Sequence, residues 1–527
     1  MGEQSQAEVI AFLSERSNLP GHAPVEVIRT HAAVVFLSGK DAYKIKRDVR
    51  YDYLDFSTLQ KRHDMLLREL ELNVPMAPAI YRDVIAVTRD SAGDLHLGGS
   101  GEVVEWVLRM HRFDAEDELE QIAARGALDD PMAMLLGRGV AEYHATNTPR
   151  SDIAGSDLIN AILDELNTVF ATIAADLGAH RVARFRAASD RVFRTVQTTL
   201  DTRGQSGHVR RCHGDLHLRN IVLVDGVPTP FDALEFDETL GTCDVLYDLA
   251  FLLMDLCHMG LKRAANIVLN SYLHHARSMD HHAALSLLPL FLSIRAAIRA
   301  MVVAQTASFN PDDDTLTDEA RSYLSSALAY LGPEPAQLIA IGGLSGTGKT
   351  VLATSLAHHI GAAPGAVHLR SDLERKALFD VSPQTRLPAS AYQPQVSARV
   401  HAILLEKARL VLSGGHSVIL DATWMDEDAR AMLPALAGKF GARFTGVWLT
   451  AELGGLESRV STRRGDASDA DVAVVRGQAA RITAPISWPR IDASGSPEDT
   501  FLKVQTLLFG PERQDPPGQE SRGPRHA

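Results

Sequence analysis

His213-Gly214-Asp215-Leu216-His217-Leu218-Arg219-Asn220, followed twelve residues on by Asp232, is one of two segments that decide how this chain of 527 residues is read. The other is Gly343-Leu344-Ser345-Gly346-Thr347-Gly348-Lys349-Thr350. In the first, Asp215, Asn220 and Asp232 put three hard oxygen donors into one loop and the strand after it. Such donors suit magnesium on phosphate oxygens, with one carboxylate left to orient a hydroxyl. In the second, the apolar run Leu338-Ile339-Ala340-Ile341 leads straight into a glycine-rich turn and then a helical pattern over residues 351–359. That strand–turn–helix order is the context of a P-loop. Its glycines let amide N–H groups curl toward phosphate oxygens, and the helix N-terminus favours the anion. Lys349 reaches the β- and γ-phosphates, and Thr350 gives magnesium a hydroxyl.

The bulk numbers frame this pair of motifs. A chain of this length exceeds what one core serves, so two or three domains are expected. Hydrophobic residues at 45% and charged residues at 23% are ordinary for a soluble globular protein. The net charge of −13 argues against a general nucleic-acid or anionic-membrane binder, since both partners require a basic surface. Three cysteines without a CxxC pair fit a reducing cytoplasm rather than a disulfide framework. No signal-peptide pattern opens the chain. Its most apolar stretch, residues 285–303, is interrupted by Pro289, Arg295 and Arg299 and reads as a buried helix.

Periodicity places the motifs. A helix over 7–16 precedes β-like runs at 25–37 and 42–46, the latter entered by a turn at 38–41. A helix over 57–72 is expected to be capped by Ser57, with strands at 80–88 and 102–110 after it. Helices fill 130–205 and 244–331 around the loop-and-strand region 208–240. The cluster Gly332-Pro333-Glu334-Pro335 marks a domain boundary, downstream of the acidic run 312–314. Strand–loop–helix repeats from residue 337 predict a parallel sheet. The Pro-, Gly- and charge-rich tail from 510 is expected to be disordered.

In the first region Asp215 is the candidate base, and Asn220 and Asp232 are the candidate metal ligands. Tyr43-Lys44-Ile45-Lys46 has the shape of a strand carrying a nucleotide-binding lysine. Alternation puts Lys44 and Lys46 on one face, and the distance from Gly39 favours Lys46. Glu69 would pair with that lysine, with Glu71 as the alternative. Residues 105–108 are expected between two lobes, where backbone groups meet adenine. Glu235 and Asp237 are possible further ligands, and Asp248 is expected to brace the loop. This region, 25–330, resembles the aminoglycoside phosphotransferase family, the small-molecule branch of the protein-kinase-like fold. Gly214 and His217 match that branch, whereas protein kinases generally carry Arg and Lys there. The resemblance implies ATP-dependent phosphorylation of a small-molecule hydroxyl, with Asp215 as catalytic base. No aminoglycoside-specific motif and no G-x-G-x-x-G loop accompany it.

In the second region Gly343, Ser345, Gly346, Thr347, Gly348, Lys349 and Thr350 form the nucleotide cradle. A strand over 366–369 delivers Arg370-Ser371-Asp372 at its carboxyl end, where open α/β sheets hold their ligands. Asp372 is the candidate catalytic carboxylate and Arg375 the candidate substrate-binding residue. A strand over 417–420 ends at Asp421, a candidate magnesium-ordering carboxylate. Arg459, Arg463 and Arg464 are expected on one side of a lid helix, closing on the transferring phosphates. This half resembles small P-loop metabolite kinases of the gluconate-kinase type. The paired histidines 274–275, 281–282 and 358–359 are expected to be solvated, because adjacent helical positions diverge by about 100° and cannot chelate together.

The resulting expectation is an α/β multidomain chain. A two-lobed kinase-like domain spans 1–332, divided near 108, and a three-layer αβα P-loop domain with a parallel sheet spans 337–509. The implied activity is that of a bifunctional cytoplasmic small-molecule phosphotransferase using ATP and Mg2+ on hydroxyl-bearing substrates. The alternative is a single kinase whose P-loop half is a regulatory ATP-binding or ATPase module.

Overall fold

The two larger sheets are built on opposite plans, one antiparallel and one parallel. The chain separates into two compact units, Met1–Glu334 with Ala362–Pro364, and Pro335–Gly361 with Gly365–Ala527. The computed structural model describes residues 2–51, 54–309, 313–332, 334–463, 465–481 and 485–510. Asp312, Pro333, Arg464 and the tail from 511 therefore lie outside the described residues.

The first unit opens with helix α1 (Gly2–Ser14) and a six-stranded antiparallel sheet. Its strands are β1 (Val25–Arg29), β2 (Ala33–Ser38), β3 (Asp41–Lys46), β4 (Tyr81–Arg89), β5 (Leu95–Leu97) and β6 (Glu102–His111), in the order β1-β2-β3-β6-β4-β5. The expected single run over 25–37 is a hairpin instead. The turn is closed by Thr30, whose amide donates to the Ala33 carbonyl at 2.9 Å and whose hydroxyl accepts from the Ala33 amide at 3.0 Å. No Gly, Pro or Asn announces that turn; a threonine side chain imitates the backbone instead. Helix α2 (Leu59–Asn73) crosses the sheet and is capped by Thr58, not Ser57: the Thr58 hydroxyl accepts from the Lys61 amide at 3.3 Å. Arg62, Leu66, Glu69 and Asn73 form its buried stripe at helical spacing.

Residues 105–108 sit inside β6, paired with β4 through Val87↔Glu105, Ala86↔Trp106 and Ile85↔Val107. They are not the segment between the lobes. That segment follows His111, so the expectation placed the lobe junction too early. The second lobe is mainly helical: α3 (Asp130–Thr146), α4 (Gly155–Thr172), α5 (Ala179–Gln205), α6 (Val245–His258), α7 (Lys262–His275), α8 (Leu288–Phe309) and α9 (Asp314–Tyr330). Short strands β7 (Val209–Arg211), β8 (Ile221–Val224), β9 (Val227–Pro230) and β10 (Thr242–Asp244) flank the loop 212–220. The stretch Met279–Phe309 is long and apolar enough to cross a membrane, but most of its apolar window is buried inside the unit. It serves as the core of this lobe, as its Pro and Arg interruptions predicted.

In the second unit β11 (Gln337–Gly343), β12 (Val367–Arg370), β13 (Val418–Asp421), β14 (Arg443–Thr450) and β15 (Arg490–Asp492) form a five-stranded parallel sheet ordered β12-β13-β11-β14-β15. Strand order reverses direction at β11, so the crevice beyond its carboxyl end is open to a ligand. Ile339 and Ile341 bury against α10 (Lys349–Ala357) and α16 (Pro497–Phe509). The alternate residues Leu338 and Ala340 are equally buried, and α12 (Pro394–Ser413) and α13 (Glu427–Lys439) also pack on this sheet. Helices α11 (Ser371–Leu378), α14 (Leu453–Thr462) and α15 (Val472–Arg481) stand at its carboxyl edge. Trp488 lies flat over Gly446 of β14, where a Cβ would come 2.4 Å from the indole.

Gly446→Ala is therefore expected to lower the stability of the second unit by about 1–3 kcal/mol through overpacking. A fall in the urea midpoint followed by tryptophan fluorescence measures it; an unchanged midpoint contradicts the packing described.

Candidate active sites

In the first unit, α6 holds the loop 212–220 from below. Asp248, wholly buried, accepts from the His213 amide at 3.2 Å and the Gly214 amide at 2.8 Å. Two helical turns on, Asp255 accepts from the Leu218 amide at 2.9 Å. Burial opposes ionisation of Asp248, but the His144 hydrogen bond and charge outweigh it and hold the carboxyl at about 2. The expected bracing role of Asp248 is what its contacts perform. Above it, His213 Nε2 donates to the Phe231 carbonyl at 2.9 Å, which leaves Nδ1 to accept from the Asp215 amide at 3.3 Å.

Asp215 is thereby presented to the cleft with 42% of its side chain exposed. The Asn220 amide nitrogen donates to both the carbonyl and a carboxylate oxygen of Asp215 at 2.9 Å. The Asn220 amide oxygen consequently points away from Asp215. Burial pushes the Asp215 carboxyl up, yet the His217 hydrogen bond and charge, with His213 and Arg295, pull it well below the ordinary range. Asp232 takes a left-handed backbone (φ 59°), a conformation aspartate tolerates, and its amide donates to the Tyr81 hydroxyl at 3.0 Å.

Both β3 lysines enter this site, as their shared face required. Lys44 Nζ lies 2.7 Å from Glu69 Oε1 and 2.7 Å from Asp232 Oδ1. Lys46 lies deeper, 2.6 Å from Glu69 Oε2 and 2.5 Å from Glu235 Oε1. The Lys46–Glu69 contact is a close ion pair without hydrogen-bond alignment. Burial opposes the charge on Lys44, but Asp232 and Glu69 dominate and raise its affinity for the proton. Lys44, not Lys46, is thus the lysine that meets Asp232. Glu71 is excluded as the partner: it is exposed and bonds Arg68. Glu235 is consumed by Lys46, and Asp237 caps the short helix Glu238–Gly241.

The histidine pairs divide. His281 and His282 are buried, not solvated. Burial drives the His281 imidazole down to about 2, so it packs as a neutral ring against His208 and Tyr272. His144, Cys212 and Asp248 cluster closely enough to hold a metal ion, but His144 already bonds the Tyr272 hydroxyl and Asp248.

In the second unit Gly343, Gly346 and Gly348 adopt φ of 139°, 85° and 86°. These are values L side chains avoid, which explains the glycine spacing. Lys349 Nζ rests on the Leu344 carbonyl at 2.8 Å, and the Thr350 hydroxyl donates to Asp421 at 2.6 Å. Burial lowers the Lys349 proton affinity. Burial opposes Asp421 ionisation, but the His368 hydrogen bond and charge hold it at about 2. A cavity of about 830 Å³ runs from Ser345–Thr350 past Asp372, Arg375, Asp421 and Arg463 to Arg459. Asp372, in the same cavity, is pushed the other way: burial, then Asp421, raise its carboxyl above the ordinary range. Arg375 stacks on Tyr392, donates to the Ala391 carbonyl at 2.6 Å, and keeps a buried Nε without a hydrogen-bond partner.

The lid departs from expectation. Helix α14 ends at Thr462, so Arg459 and Arg463 do not share one helical face. Arg459 Nη1 donates to the Ala493 carbonyl at 3.0 Å; Arg463 donates to the Ser468 and Ala470 carbonyls at 3.1 Å. Arg464 is outside the described residues. Sequence reasoning also missed five contacts of the segment from 466 to 478. Asp466 bonds Arg370 at 3.0 Å, and Asp469 accepts from Lys376 at 2.6 Å, Tyr392 at 2.5 Å and the Leu387 amide at 2.9 Å. Gln478 bonds Ser345. Their partners lie far away in sequence, so no local pattern announces them.

Both candidate metal positions offer only hard oxygens: Asn220 with Asp232 in one unit, Thr350 with Asp421 in the other. That donor chemistry fits Mg2+.

Residues 338–485 match the AAA domain family. Across 482 residues the chain is 29% identical to an uncharacterized protein of Mycobacterium tuberculosis (strain H37Rv), covering 90% of this chain and 93% of that protein; an uncharacterized protein of Mycobacterium bovis matches to the same extent. Among solved structures, the amicoumacin kinase hAmiN in complex with AMP-PNP, Ca2+ and Ami is 13% identical, with a TM-score of 0.40 over 62% of this chain and 93% of that one. A gluconokinase from Sinorhizobium meliloti 1021 is 16% identical, with a TM-score of 0.24 over 34% of this chain and 98% of that one.

Proposed function

We propose that the chain is a bifunctional ATP-dependent small-molecule kinase, residues 1–332 and 337–509 each moving a phosphoryl group from ATP to a hydroxyl group. Acceptors of sugar, aminocyclitol or amino-alcohol type fit this chemistry. The observation that carries the reading is the Lys44–Asp232 contact beside the Asp215–Asn220 pair, matched in the other unit by Lys349, Thr350 and Asp421 around one cavity with Asp372. Three free cysteines are compatible with a reducing cytoplasm.

In the first unit Lys44 would hold nucleotide phosphate, and Asp215 would orient the acceptor hydroxyl. A bond forms between the acceptor oxygen and the γ-phosphorus while the β–γ bridging bond breaks and ADP leaves. A carboxylate as acidic as Asp215 is a weak base, which suits a loose transition state where orientation precedes proton transfer. Asn220 and Asp232 would hold Mg2+, as would Thr350 and Asp421; the ion supplies neutralisation of phosphate charge. In the second unit Asp372, with its raised proton affinity, would take the acceptor proton. Arg375 would bind the acceptor, and Arg459 and Arg463 would stay near the nucleotide through their carbonyl contacts.

Four outcomes check this reading. Asp215→Asn abolishes label transfer by the first unit and Lys349→Ala that by the second, each leaving the other intact, in a screen of sugars, aminocyclitols, cholines and nucleosides with labelled ATP. Loss of both activities from one change in folded protein contradicts two independent engines, whereas acceptor-independent ATP turnover that alters first-unit kinetics identifies the second unit as a regulator. Lys44→Met slows first-unit transfer by about 10²–10³-fold, a greater loss than Lys46→Met produces. Finally, Asp372→Asn raises the melting temperature at neutral pH. The raised carboxyl makes ionisation of Asp372 unfavourable in the fold, a cost that grows as pH rises above the ordinary carboxylate range and vanishes below it.

A further inference from the structure

We infer that Gln478 determines triphosphate specificity in the second unit: its carboxamide, fixed on the P-loop at Ser345, recognises the terminal phosphate and sets ATP above ADP. This rests on the reading of that unit as an ATP site and adds to it a residue no motif contains.

The packing fixes where Gln478 points. Val475 of α15 is wholly buried with Leu456 and Val460 of α14, against Leu344 of the P-loop. Gln478 follows three residues later, on the same helical face. The contacts that bury Val475 therefore direct Gln478 at the loop. Its Oε1 accepts from the Ser345 amide at 2.9 Å, and its Nε2 donates to the Ser345 hydroxyl at 3.1 Å. With the oxygen committed to an N–H, the amide orientation is set. Nε2 has a second hydrogen to offer.

The position along the loop decides which phosphate is read. Lys349 Nζ rests on the Leu344 carbonyl, one residue before Ser345. A P-loop lysine serves the β- and γ-phosphates, so the Ser345 amide stands at the end of the cradle nearest the transferring group. Asp372, the proposed base, and Arg463 line the same cavity as Gln478. A phosphate oxygen at this end meets two neutral donors, the Ser345 O–H and the second N–H of Gln478, the Ser345 N–H being given to Gln478 Oε1. A diphosphate stops one phosphate short. Uncharged donors bind the anion there without adding another cation to those of Lys349 and Arg463.

The test uses the full chain carrying Asp232→Asn, which silences the first site, with calorimetric titration of Mg–ATP and Mg–ADP. Gln478→Ala is expected to weaken ATP by roughly ten-fold or more and ADP by less than about two-fold, the loss of one hydrogen bond to a charged group. Gln478→Glu keeps an oxygen for the Ser345 amide but removes the donor and adds a charge, so it weakens ATP further still while ADP moves little. Equal shifts for the two nucleotides, tighter ATP binding, or no change in either variant overturns the inference. Should Gln478→Ala fail to fold, the ATP-to-ADP ratio of Gln478→Glu decides alone. If the Asp232→Asn parent itself binds no ATP, the nucleotide-site reading fails instead, and the inference with it.

Discussion

A buried ammonium must be paired or give up its proton, and this constraint organises both units. In the first, Lys44 sits 2.7 Å from Glu69 on α2 and 2.7 Å from Asp232 on the loop after β9. One cation thereby ties together the sheet, the helix crossing it and the Asp232 loop of the other lobe. Lys46 repeats the arrangement a strand-period away, between Glu69 and Glu235. Glu69 is shared by both lysines, so the placing of β3 against α2 is strongly specified. In the second unit Lys376, 1% exposed, plays the corresponding part, binding Asp469 in the segment before α15.

The two proposed bases are tuned in opposite directions by their surroundings. Asp215 is ringed by donors: Asn220 at 2.9 Å, His217 at 3.4 Å and the more distant charge of Arg295. Its anion is favoured. Asp372 faces the carboxylate of Asp421 across a desolvated cavity, and its neutral form is favoured instead. Loop geometry accounts for the difference. Asp215 is braced from below by a histidine and by α6, whereas Asp372 stands in the first turn of α11 among groups already committed elsewhere.

Much of this was legible in residue order. The loop 213–220 with Asp232, the P-loop, the strand end at Asp421 and Asp372 just beyond the end of β12 were all placed by short-range spacing, because each depends on residues a few positions apart. Glu69 was named with Glu71 as its alternative, and only the buried face of α2 separates the two. The failures share a cause. Thr58 displaced Ser57 as the cap, Lys44 displaced Lys46, and the lobe junction moved beyond His111, each a shift of a few positions that only backbone geometry resolves. His281 reads as polar by type but is forced neutral by the lobe packed around it.

Sequence alone located two loops of unrelated type, 213–220 and 343–350, and the residues that form them, because a loop's chemistry is set by neighbours along the chain. Tertiary structure decided which groups those loops face. Gln478 meets Ser345, Asp469 meets Lys376, and Asp248 meets the amides of His213 and Gly214, across separations of 133, 93 and about 35 residues. Such pairs arise when distant elements bury their apolar faces and the polar groups between them must find partners. No local periodicity encodes that choice; the packing of the whole unit does.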